Sequence, residues 1–245
     1  MNFQSARRRN EAQRWLRRLT TTQQMEIQAS HLVKCEWDNT LAAYDNRKQE
    51  YLKGVPINHL SRLHDNTKAY LFQFYQILDT MIQKMTEADL SDSISHNFII
   101  QMIPHHKAAI EMSYNILTYT TCAPLRKIAS NIISEQTQSI KNMQDILCTC
   151  SHLTNSERDL FLYQRRIDQI MKTMFTDMGT ACANNQISAD FMREMIPHHR
   201  GAIEMSQNTL QYDICPELCP ILDAIITSQK RGIMQMQQLL QHMRR

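Results

Sequence analysis

Residues 102–113 read MIPHHKAAIEMS and residues 195–206 read MIPHHRGAIEMS, one string written twice, with only Lys107/Arg200 and Ala108/Gly201 differing, at an offset of 93. The match runs on without a gap. Before the string it pairs Tyr70 with Tyr163, Met81 with Met174, Met85 with Met178 and Phe98 with Phe191; after it, Cys122 with Cys215, Gln136 with Gln229, Ile140 with Ile233, Met143 with Met236 and Leu147 with Leu240. A constant offset over so long a stretch marks an internal duplication. The chain therefore divides into an N-terminal segment, residues 1–56, and two copies of one unit, residues 57–150 and 151–245.

Four glycines and six prolines in 245 residues leave little punctuation for the turns of a β fold, while Met, Gln, Leu, Ile and Ala favour helix. With 42% apolar residues the chain can bury a core. No apolar run reaches the roughly 18 residues of a membrane span, and the first residues continue into charge, so the sequence reads as cytoplasmic, without a signal peptide. On that reading the seven cysteines are reduced thiols, small buried or semi-exposed side chains, with Cys148 and Cys150 as the alternative candidate for an auxiliary thiophilic-metal pair.

The net charge of +3 is uneven. Residues 1–20 hold six Arg and one Glu, and Ala12, Trp15, Leu16 and Leu19 recur at helical spacing among the arginines. This is a basic amphipathic helix. It either docks its apolar stripe on the body of the protein or presents its arginines to an anionic partner, a nucleic acid or a lipid surface.

Each unit reads as three helices, near 59–87, 96–119 and 124–148 in the first copy and near 156–182, 189–212 and 217–243 in the second. Ser95 and Ser188 are the matched N-cap candidates of the middle helices. Apolar periodicity passes through Pro104 and Pro197, which predicts helices that continue with a kink and a freed carbonyl one turn earlier. On a wheel of about 100° per residue, Met102, His106, Ile110 and Ser113 share a face, His105 and Met112 share its edge, and Glu111 falls opposite. Glu111 and Glu204 should therefore point to solvent.

Adjacent histidines diverge by about 100°, so neither pair fits an apolar seam, and burying four unpaired imidazoles for packing alone is costly. Paired histidines flanked by methionines are donors for soft and borderline metals. The candidate ligands are Met102, His105, His106, Met112, Met195, His198, His199 and Met205, with Gln136, Met143, Gln229 and Met236 on the last helices holding them from behind. Each glutamine sits on a core stripe and should bond an imidazole or a freed carbonyl. No HExxH, glycine-rich phosphate loop or nucleophile elbow appears, and neither copy has the Glu-x-x-His of the carboxylate-bridged di-metal bundles. A catalytic residue is not expected.

At Phe98–Met112 with Gln136–Met143, and again at Phe191–Met205 with Gln229–Met236, the chain resembles the bacterial family known as domain of unknown function 305, whose hallmark is F-x-x-x-M-I-x-H-H-x-x-A-I-x-M followed by Q-x-x-E-I-x-x-M. The resemblance covers about residues 70–243 and implies a ferritin-like helical bundle. It also implies copper or silver as the bound metal, since some relatives are metal-tolerance proteins. The glutamate of the second pattern is Ser139 in one copy and Gly232 in the other, and many relatives are exported.

These readings converge on an all-α, ferritin-like bundle of two tandem repeats with pseudo-two-fold symmetry, binding Cu(I) or Ag(I) for buffering or tolerance, with another transition metal as the next choice. The alternative is a non-enzymatic interaction module whose histidines form a metal-free polar core and whose basic arm meets an anionic partner. Association with a second copy of the chain is compatible with both.

Overall fold

The structure is a computed structural model that describes residues 63–181 and 183–243. The basic helix read at residues 1–20, the rest of the segment 1–56, the first residues of the helix expected from 59, Cys35 and Cys182 lie outside these residues. Within them the protein is all-α: α1 Asp65–Thr86, α2 Ile94–Tyr119, α3 Ala123–Cys150, α4 Glu157–Gly179, α5 Ile187–Thr209 and α6 Cys219–Met243, with a 3-10 turn at Pro216–Leu218 leading into α6.

Helices α2, α3, α6 and α5 form a closed ring, each packing on the next and α5 returning to α2, while α1 lies on α2 and α4 on α5. The burial pattern follows. α1 buries one stripe, Tyr70, Leu71, Phe74, Ile77, Leu78, Met81 and Met85, and α4 buries the matching Tyr163, Ile167, Ile170, Met171, Met174 and Met178. α2 and α5 face partners on several sides and are buried on most of their surface. Both helices run through their prolines, Pro104 and Pro197, as the periodicity predicts. Among the described residues, no helix is long and apolar enough to cross a membrane.

The caps differ from expectation. Ser93, not Ser95, caps α2, accepting from His96 N at 3.3 Å, and Gln186, not Ser188, precedes α5. Ser95 Oγ instead accepts from Cys215 N at 2.9 Å, and Ser188 Oγ bonds Thr120 Oγ1 at 2.8 Å. Bonds between the two halves have won these hydroxyls from local capping. Asn155, in the connection between the copies, is fixed three ways: its N–H donates to Asp92 O at 2.8 Å, its Oδ1 accepts from Ile94 N at 2.8 Å, and its Nδ2 donates to Asp213 O at 2.7 Å.

The cysteine reading is corrected. Cys150 at the end of α3 is disulfide-bonded to Cys215 before the 3-10 turn, with 5.2 Å between Cα atoms, so not all the thiols are reduced. The Cys148–Cys150 pair does not form. Two residues apart on a helix, their side chains diverge by about 200°, and Cys148 is exposed while Cys150 is fully buried. Cys122, Cys148 and Cys219 are free.

Candidate metal centre

The site lies where α2 crosses α5. Small residues let these helices and their neighbours approach: a Cβ on Gly201 would fall 2.2 Å from Met174 Sδ, so α4 nests directly on α5 just after the histidines. At the crossing His105 and His198 stack, ring centroids 3.7 Å apart and tilted by 33°. Each reaches across to the other's backbone: His105 Nε2 is 3.2 Å from His198 O, and His198 Nε2 is 3.2 Å from His105 O.

This reciprocal pair fixes two tautomers. A carbonyl oxygen only accepts, so each Nε2 carries the ring proton and each Nδ1 presents a bare lone pair. Neither Nδ1 has a partner. His106 and His199 flank the stack, with ring centroids 5.8 Å from His105 and 6.0 Å from His198, and their Nδ1 atoms are likewise buried and unpartnered. His106 Nε2 bonds Ser139 Oγ at 3.1 Å, whereas His199 faces Gly232, which offers no side chain.

All four rings are neutral. Burial lowers the pKa of His106 and of His198 to about 3, the first helped by His198 and the second opposed by the carbonyl of His105. Burial likewise holds His105 and His199 well below the ordinary histidine range, reinforced in both by His198 and His106. A neutral imidazole is the form that ligates a metal.

The eight candidate ligands are all buried on α2 and α5, and Met143 and Met236 are buried on α3 and α6. Four imidazoles from the two copies are brought together, but no three of their nitrogens lie within 4.8 Å of one another; among the described residues only Cys150, Cys215 and Glu217 group that tightly. The four nitrogens are therefore not gathered as a ready-made tetrahedral four-histidine site. Glu111 is exposed and Glu204 meets Arg166 at 3.5 Å, both turned away as the wheel requires. The glutamines differ from expectation: Gln136 Nε2 and Oε1 and Gln229 Oε1 are buried without a hydrogen-bond partner.

Sequence reasoning missed Glu194, one turn before His198 and buried where the first copy has Gln101. The i, i+4 spacing to His198 was the available signal. Its carboxyl accepts a hydrogen bond from the Tyr70 hydroxyl on α1, so the pair joins the two copies. Burial pushes Glu194 up to about 8, with Asp190 adding to the rise and Tyr70 and Arg193 opposing it. The folded state thus favours the protonated acid, and stability contributed here falls as pH rises from about 4.5 to about 8. Glu194→Gln should raise stability by up to about 3 kcal/mol at pH 7 and flatten that slope, read by urea unfolding at several pH values. A variant less stable than wild type at pH 7 would mean that the Tyr70 bond outweighs the desolvation.

Comparison with known proteins gives a family. The model described as "Domain of unknown function (DUF305)" matches residues 95–240. Among solved structures, the crystal structure of a DUF305 fragment from Deinococcus radiodurans is similar at 22% identity, covering 61% of this chain and 96% of that chain, with a TM-score of 0.45. No curated protein matches.

Proposed function

The chain belongs to the domain of unknown function 305 family, and we propose that it binds Cu(I) or Ag(I) where α2 crosses α5, acting in metal buffering or tolerance rather than as an enzyme. One observation carries the reading: the His105–His198 stack, whose reciprocal Nε2 bonds leave two buried Nδ1 lone pairs with no partner. Packing alone gives no reason to leave them so, because an unmet buried acceptor is destabilising. His106 and His199 add two more donors, and Met102, Met112, Met195 and Met205 would supply thioether sulfur, which suits soft monovalent ions and serves hard ones poorly. On this reading the bundle is a ferritin-like one whose two repeats face each other across a pseudo-two-fold axis.

The test is anaerobic Cu(I) titration of the full chain against a competing chelator. Replacing His105, His106, His198 and His199 together by Ala should weaken Cu(I) by at least about 100-fold, the upper end of what loss of a mere outer-shell partner costs. Magnesium, calcium and manganese should bind poorly, and Met102→Leu, which nearly keeps the packing, should weaken Cu(I) more than Zn(II). Indistinguishable affinities for the wild type and the four-histidine variant would leave the interaction module, with a metal-free polar core, as the better reading. An anionic partner for residues 1–20 and a second copy of the chain are not required by the metal reading.

A further inference from the structure

We propose that the seam between α3 and α6 is the transit site by which the metal cation reaches the imidazole cluster, with Gln136, Gln229 and His199 receiving the ion as it sheds water. The inference rests on the metal reading and adds a route to it. Between the two helices lies a cavity of about 10 Å³, lined on its inner side by Gln136, His199, Gln229 and Gly232. That is close to the least space that holds one water, or one bare cation of similar size.

The lining is polar without need. Gln136 and Gln229 are only 2% and 3% exposed, and Gln136 Nε2 and Oε1 and Gln229 Oε1 meet no partner. The surrounding stripes are apolar, Ile128 and Ile132 on α3 and Ile225 on α6, so leucines would fill these positions at no such penalty. Two amide oxygens and a neutral imidazole offer lone pairs, the complement of a partly dehydrated cation.

Gly232 brings the ring to the seam. A Cβ there would lie 2.7 Å from His199 Cδ2 and 2.8 Å from His199 Nε2, so a glycine inside α6 leaves the room that the His199 ring fills, and both residues line the cavity. His105, His106 and His198 have no exposed surface, and His199 alone of the four keeps any, at 2%. An ion arriving at His199 is one residue from the stacked His198. Outside the cavity, Glu135 on α3 and Arg231 on α6 pair at 2.7 Å with their side chains partly exposed, and both belong to its lining. Parting this pair would bare a carboxylate to an incoming cation.

The seam would then set the rate of loading and not its end point. Ag(I) transfer from a weak chromophoric chelator to the full-length protein, in chloride-free buffer, reads both. The double variant Gln136→Leu/Gln229→Leu should load at least about tenfold more slowly, with unchanged final stoichiometry, and Arg231→Ala should load several-fold faster. Wild-type rates in either variant overturn the transit site and leave the cavity to a single ordered water; if the double variant does not fold, Arg231→Ala alone decides. The underlying reading fails separately: wild-type protein that takes up no Ag(I) ends both ideas, whereas uptake that is lost in the four-histidine variant upholds the metal centre and leaves only the rates to judge the seam.

Discussion

Metal-free protein moved from pH 7 to pH 5 should lose about 5 kcal/mol of stability, enough to unfold it or bring it to the edge of unfolding. The four imidazoles are the cause. His106 and His198 titrate in the folded protein at about 3, and His105 and His199 also lie far below 6.5. A depressed base contributes stability that is complete above its unfolded pKa and is lost as pH falls toward the folded value. Between pH 7 and pH 5 each histidine accounts for roughly 2 kcal/mol, and the four together for roughly 8. Glu194 works the other way, since its raised carboxyl returns about 2 to 3 kcal/mol over the same interval, and Asp168, raised by burial, has the same sign. The histidines win by number. Urea unfolding at half-unit pH steps reads the slope, and a bound metal should raise stability at every pH while leaving the slope in place, because the folded rings carry no proton with or without it. Flat stability from pH 7 to pH 5 would mean that the rings are solvated and the cluster is not buried.

Opening the Cys150–Cys215 bond should cost about 4 kcal/mol, because the two residues are 65 apart in sequence and the bond shortens a long loop of the unfolded chain. The bond ties the end of α3 in the first copy to the entry of α6 in the second, and both cysteines are buried. Cys150→Ser should lower the urea midpoint under oxidising conditions, and reductant should bring wild type to the variant's value. Equal midpoints for oxidised wild type and variant would show that the link adds nothing to stability. Such a bond persists in an oxidising compartment and is kept open by cytosolic thiols, so its redox state inside cells tests the cytoplasmic expectation directly.

The offset of 93 was enough to read the repeated helices, the single helical bundle and the meeting of His105 and His106 with His198 and His199. Periodicity through Pro104 and Pro197 foretold unbroken helices, and wheel geometry turned Glu111 and Glu204 outward. What escaped were choices among equally good local partners. Ser95 and Ser188 are sound caps by sequence, yet their hydroxyls serve contacts 120 and 68 residues away. The disulfide pairs unmatched positions of the two copies, and connectivity cannot be deduced from cysteine spacing. Glu194 hid because a carboxylate on a buried face reads as misplaced until Tyr70, 124 residues away, is seen to meet it. The glutamines were rightly placed in the interior, but their lack of partners depends on a cavity that no periodicity encodes.

A centre made from two separate molecules would come apart on dilution and would have to be built from identical halves. Here both halves are joined through one short connection that Asn155 pins, so each meets the other at an effective concentration that does not depend on how much protein is present. Joining them also releases them from identity. Gln101 can stand where the other half has Glu194, Asn97 can stand for Asp190, and Ser139 can bond one histidine while Gly232 clears space beside another. Each of these changes is made once, on one side, where a homodimer would be forced to make it twice.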